Sequence, residues 1–157
     1  MNRRHLLGAC STAAAAVAAG CVRAPTTDPD RPADGDGPTD DPTPDLRQVR
    51  IDLAPCANSG SASVTFDRAA GQVAVRGCVT GETACHYPEV ASAGYDGEVF
   101  RLVVASEYQA DDDEACAQVL TDRGYRVEAR FDGDTPRDVE VVHDDVHGSE
   151  SVATATR

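Results

Sequence analysis

The segment YRVEARFDGDTPRDVEVV, residues 125–142, carries the pattern that decides the fold. Apolar and charged residues alternate from Tyr125 to Phe131, and a period of two is the signature of a half-buried strand. The DGDTP stretch that follows contains the glycine and the proline typical of a turn. Val139 and Val141 then resume the alternation, so this segment predicts two strands joined by a turn.

Further strands are predicted on the N-terminal side of this segment. Residues 49–53 alternate, with Val49, Ile51 and Leu53 on one face. Residues 64–79 contain two apolar runs around DRAAGQ, which predicts a hairpin. The run EVFRLVVAS, residues 98–106, follows the dipeptide Asp96-Gly97, a type I′ turn signal.

In one stretch the spacing of apolar residues changes from the period of a strand to that of a helix. Cys116, Val119 and Leu120 are spaced i, i+3, i+4, which predicts a short helix that Asp112 or Asp113 would cap and Gly124 would end. The resulting fold prediction is α+β, with a mostly antiparallel sheet of five or six strands, one short helix and two disulfides. An all-β sandwich is the alternative.

The N-terminal segment has the layout of a signal peptide. Arg3 and Arg4 precede an apolar run of 14 residues, which is shorter than the roughly 20 that a membrane-spanning helix needs. The arginine pair resembles the twin-arginine export signal. The residues Ala-Ala-Gly before Cys21 resemble a lipobox, in which the cysteine becomes the lipid-bearing N-terminus, and Cys10 would be removed with the signal.

Four regions follow from these patterns. Residues 1–20 are predicted as the signal peptide and residues 21–46 as the lipidated cysteine with a disordered tether. The tether contains six of the nine prolines and seven aspartates, and so little apolar surface cannot offset chain entropy. Residues 47–146 are predicted as the globular domain and residues 147–157 as a flexible tail.

The strong negative net charge predicts that the protein works at high salt concentration. The 14 basic residues are all arginine, and the net charge of −13 falls to about −15 once Arg3 and Arg4 are removed. Molar salt screens such self-repulsion because the Debye length shrinks to about 3 Å. The signal, the acidity and the absence of lysine together resemble the small haloarchaeal lipoproteins of unknown function. The acidity also argues against a nucleic-acid partner, since phosphate binding relies on basic side chains.

Four cysteines remain in the predicted domain: Cys56, Cys78, Cys85 and Cys116. An even number in an exported domain indicates two disulfides with three conceivable connectivities. Cys56–Cys78 with Cys85–Cys116 is the favoured one. Structural zinc is the alternative, but zinc sites usually contain close pairs such as C-x-x-C, which are missing here.

Few residues suggest a catalytic or metal-binding site. His143 and His147 form H-x-x-x-H after a predicted strand, and the alternative function is a metal-binding protein or a metal-dependent enzyme that uses these two histidines with His86. The acidic run at 111–114 is interpreted as a helix start. We therefore expect a non-catalytic lipoprotein without cofactor or metal. It would be anchored outside the cytoplasm through Cys21 and would bind an envelope protein or a small ligand.

Overall fold

The computed structural model describes residues 43–111 and 115–157. In these ranges the chain forms eight strands and no helix, and therefore contains no helix that could span a membrane. The strands are β1 Leu46–Ala54, β2 Ala62–Asp67, β3 Gln72–Gly81, β4 His86–Asp96, β5 Val99–Tyr108, β6 Thr121–Phe131, β7 Asp138–Asp145 and β8 Gly148–Thr156.

The strands form two four-stranded sheets that pack face to face. The first sheet has the order β1-β6-β3-β2 and is antiparallel throughout. The second sheet has the order β4-β5-β7-β8, and its central pair, β5 with β7, is parallel. Between β5 and β7 the chain crosses to the first sheet to form β6. The fold is therefore a β-sandwich.

The core lies between the sheets and follows the period-two pattern of the central strands. Phe100 packs edge-on against Phe131 and Tyr95, with ring centroids 5.0 and 5.5 Å apart. Burial of such apolar surface is the main stabilising contribution to a domain of this size. The fully buried members of the core are Val73, Val75, Val79, Phe100, Leu102, Val104, Tyr125, Val127, Ala129, Val139 and Val141.

The predicted strands and hairpins are confirmed over most of the domain. β2 and β3 form the hairpin expected around DRAAGQ. β4 and β5 pair around Asp96-Gly97, where Gly97 has a φ of +62° that favours glycine. The quoted segment 125–142 covers the last seven residues of β6, the turn and the first five residues of β7. Its two strands, however, lie in different sheets and do not pair with each other.

The predicted α+β class is wrong, and the all-β alternative is correct. Residues 115–120 form no helix, and β6 begins at Thr121 and runs through Gly124, the expected helix stop. The helical spacing had no apolar face to bury, because Cys116 is engaged in a disulfide while Val119 and Leu120 are exposed. The suggested caps, Asp112 and Asp113, lie outside the described residues.

The C-terminal boundary was also predicted wrongly. Residues expected to fray form β8, which pairs with β7 along its whole length. β8 therefore belongs to the domain, and Arg157, which follows it, donates its backbone N–H to the carbonyl of Arg137. At the other boundary β1 begins at Leu46, one residue before the predicted start. The signal peptide, Cys21 and most of the tether lie outside the described residues.

Candidate functional site

Both disulfides lie at the same end of the sandwich, which we call the disulfide end. It comprises the last residues of β1, β3, β5 and β7, the first residues of β2, β4, β6 and β8, and the connections between them. The bonds are Cys56–Cys78 and Cys85–Cys116, which confirms the favoured connectivity. The segment that precedes β1 joins the opposite end, where Asp45 accepts a hydrogen bond from the backbone of Asp132.

Inward-facing positions become polar towards the disulfide end. On β7 the inward series Val139, Val141 continues with His143, and on β6 Val127 is preceded by Tyr125. The Tyr125 hydroxyl and Nε2 of His143 are 2.7 Å apart, and both side chains are buried. This hydrogen bond therefore links the two sheets at the boundary between the apolar core and the end of the sandwich.

A glycine makes room for this pair. A Cβ atom on Gly77 of β3 would overlap the hydroxyl and ring of Tyr125. Burial raises the pKa of Tyr125 far above its ordinary value and lowers the pKa of His143, an effect that the nearby carboxylate of Asp145 partly opposes. Nδ1 of His143 is buried and has no hydrogen-bond partner among the described residues.

An acidic cleft of about 290 Å³ opens at the disulfide end. Its walls include Glu82, Glu107, Asp144 and Asp145. Asp145 is held in place because one carboxylate oxygen accepts the backbone N–H of Thr80 at 3.0 Å and the other accepts the backbone N–H of His147 at 2.9 Å. The cleft therefore presents carboxylates, which favour a positively charged group over an anion.

His86 forms another wall of the cleft, with its tautomer fixed by a neighbour. Nδ1 of His86 lies 3.3 Å from the backbone N–H of Thr83, which donates to it, and 2.9 Å from the Thr83 hydroxyl. A neutral ring that accepts at Nδ1 must carry its proton on Nε2. Gly81 accommodates this ring, since a Cβ atom there would overlap Cβ of His86.

Two further polar residues, Asp122 and Arg123, hold the loops around the cleft in place. Asp122 accepts hydrogen bonds from the hydroxyls of Ser59 and of Thr80, the latter at 2.7 Å, and these bonds lower the pKa of the carboxyl. Arg123 donates to the carbonyl of Ala84 at 2.6 Å, and its guanidinium lies 4.8 Å from the centre of the Tyr87 ring. Such cation–π contacts contribute about 0.5–1 kcal/mol at exposed sites.

Large apolar side chains are exposed at the disulfide end. In the described part of the chain, four such side chains are more than half exposed: Leu53, Tyr108, Val119 and Leu120. Leu53 lies near the end of β1, Tyr108 ends β5, and the other two directly precede β6. Apolar side chains concentrated at one end of an acidic domain are typical of an interaction surface.

The hypothesis of a histidine metal site receives no support. His143 is buried against Tyr125, whereas His147 is exposed in the turn before β8. No three His, Cys, Asp or Glu side chains of the described residues are grouped so that they could hold a metal ion. Of the acidic run at 111–114, only Asp111 lies within the described residues.

Sequence reasoning did not identify the Tyr125–His143 pair or the cleft. The alternation Val139, Val141, His143 does place the histidine on the inward face of its strand, so its burial could have been inferred. Its partner could not, because Tyr125 belongs to the other sheet. The comparisons of this chain with protein-family models, with curated proteins and with solved structures found no match.

Proposed function

We propose that the protein is a lipid-anchored, extracytoplasmic binding domain without catalytic activity, which presents its disulfide end to a protein partner of the cell envelope. The observation that carries this proposal is the position of the four exposed apolar side chains. They lie at the end of the sandwich opposite to the point where the segment preceding β1 joins it.

The same end suggests the chemistry of the partner. Leu53, Val119 and Leu120 offer apolar contact area, and the carboxylates of the cleft offer sites for basic side chains. We therefore expect the partner surface to combine an apolar centre with lysine or arginine at its rim, an arrangement common in protein interfaces. At molar salt the apolar contacts would dominate the affinity because charges are screened.

Two arguments support an extracytoplasmic location. Disulfides persist in oxidising compartments, and this domain contains two. The twin-arginine and lipobox resemblances around Arg3, Arg4 and Cys21 supply an export route and an anchor. The composition further suggests a haloarchaeal source.

The anchor can be tested with two cysteine variants. We expect Cys21→Ser to release the protein from the membrane fraction into the medium, because the lipid would have no attachment site. Cys10→Ser is the matched control and should remain in the membrane fraction, since Cys10 belongs to the removed segment. Intact-mass measurement of the wild type should show a lipid on an N-terminal Cys21. A mature chain that begins elsewhere would contradict the anchor.

The binding surface can be tested by cross-linking whole cells in molar salt. We expect a reproducible cross-linked protein with the wild type and a loss of at least about tenfold in its yield with Leu120→Asp, because a buried charge at an interface costs more than 1.4 kcal/mol. Ala69→Asp adds the same charge to an exposed turn at the opposite end and should leave the yield unchanged. Equal yields from both variants would exclude the disulfide end as the binding surface.

A further inference from the structure

Among the described residues, three hydrogen bonds connect the two sheets near the disulfide end. The first joins the Tyr125 hydroxyl to Nε2 of His143. The second runs from the backbone N–H of Thr80 to the carboxylate of Asp145, and the third from the backbone N–H of Val146 to the carbonyl of Thr80, at 3.2 Å. All three therefore join β3 or β6 of the first sheet to the last residues of β7 or the turn that follows.

We propose that His143 is an acid-sensitive latch, whose neutral ring keeps the sandwich closed at the disulfide end and whose protonation opens that end. The proposal goes beyond partner binding and does not depend on it. It rests on the position of the ring in the inward face of β7, on its bond to the opposite sheet, and on its unpartnered Nδ1.

The neutral ring fits its surroundings better than the protonated ring does. When the ring is neutral, Nε2 either accepts a hydrogen bond from the Tyr125 hydroxyl or donates one to its oxygen. When the ring is protonated, both nitrogens must donate, yet Nδ1 faces no acceptor among the described residues. The charge would also be buried, since only 2% of the residue is exposed. A buried, incompletely paired charge is strongly unfavourable.

The groups around the His143 ring determine the direction in which a protonated ring would move. β6 contributes Tyr125, and β5 contributes the apolar register partner Val104. β8 contributes Glu150, which is the register partner of His143 but is exposed. Asp145, two residues further along β7, stands at the acidic cleft and attracts a positive charge. The charged ring would therefore move towards the cleft, and the bonds that Asp145 and Val146 make to Thr80 would be lost.

The sign of the pH dependence follows from burial. The pKa of folded His143 lies below its ordinary value of about 6.5. The stabilising effect of the neutral ring is therefore complete above pH 6.5 and is lost as the pH falls through the unfolded value towards the folded one. The opening equilibrium should increase about tenfold for each unit by which burial lowers the pKa.

Amide hydrogen exchange in molar NaCl at pH 7.5 and pH 5 tests the latch. After correction for intrinsic exchange rates, we expect the protection of the Thr80 and Val146 amides to fall at pH 5, by at most about 30-fold if the ring of the opened state titrates at its ordinary value of about 6.5. The amides of Val75 and Val127, deeper in the core, should keep their protection. A uniform loss at all four amides would indicate global destabilisation and overturn the latch, as would no loss at any of them.

Two histidine variants and a titration of the wild-type rings provide further tests of the latch, so that the result does not depend on a single mutant. His143→Gln retains a neutral hydrogen-bonding group and should remove the pH dependence at Thr80 and Val146. His147→Gln, at an exposed histidine of the same end, should retain it. If His143→Gln does not fold, the wild-type ring resonances decide the matter. A midpoint for His143 below the ordinary histidine value of about 6.5 supports the latch, and a midpoint at or above that value would refute it.

Discussion

Reduction of both disulfides is expected to unfold the domain. The bonds close loops with sequence separations of 22 and 31 residues, and in the chain-entropy model each contributes about 3–4 kcal/mol. Their combined loss of about 7 kcal/mol is comparable to the whole stability of a typical domain, about 5–15 kcal/mol. Urea unfolding in molar NaCl, followed by circular dichroism with and without reductant, measures the effect.

Paired serine variants separate the two bonds. Cys85→Ser with Cys116→Ser should be the more destabilising pair, because that bond closes the longer loop and anchors the connection between β5 and β6. Among the described residues of that connection, the backbone bonds Gln109 to Cys85 and Ala84 to Ala117 would remain. An unfolding midpoint that is the same with and without reductant would show that the strands alone hold the sandwich together.

Gly124→Ala is expected to destabilise the domain by about 3 kcal/mol, at the upper end of the usual cost of overpacking. The added Cβ would overlap three backbone atoms, which belong to Ala54, Pro55 and Cys56. Backbone atoms cannot rotate away as a side chain can, and this segment is held by β1 on one side and by the Cys56–Cys78 bond on the other. The free energy of unfolding in urea provides the measurement.

Gly94 offers a matched control for that substitution. It also lies within a strand, but a Cβ atom there would meet no atom within 4 Å. Gly94→Ala should therefore leave stability unchanged or raise it by roughly 0.5 kcal/mol, since alanine loses less backbone entropy on folding. If Gly124→Ala behaved like Gly94→Ala, the contact between β6 and the residues after β1 would be looser than the structure shows.

Local sequence patterns correctly predicted those strands and turns that are determined by residues close together in the chain. The hairpins around DRAAGQ and Asp96-Gly97 were predictable because alternation and turn chemistry act within about 20 residues. The helix prediction failed because the i, i+3, i+4 spacing was interpreted as a buried apolar face, whereas Val119 and Leu120 are exposed. β8 was missed because it has few apolar side chains. Its place depends instead on backbone hydrogen bonds to β7, which side-chain patterns do not report.

The features that could not be predicted depend on contacts between residues far apart in the chain. The disulfide pairing could be inferred from the cysteines, but nothing in one sequence predicts that β5 pairs with β7 rather than with β6. The Tyr125–His143 hydrogen bond could not be predicted for the same reason. Each residue can be assigned to the inward face of its strand, yet their 2.7 Å contact requires the alignment of two different sheets. The candidate site therefore becomes visible only in three dimensions.

The crossing of the chain between β5 and β7 has a consequence for assembly. Because β6 belongs to the first sheet, the second sheet cannot be completed until the chain has left it and returned. Neither sheet is a continuous stretch of sequence, so no proteolytic fragment contains one sheet alone. Such non-local pairing is associated with slow, all-or-none folding, in the millisecond-to-second range for β-sandwiches. The domain should thus fold and be degraded as one indivisible unit.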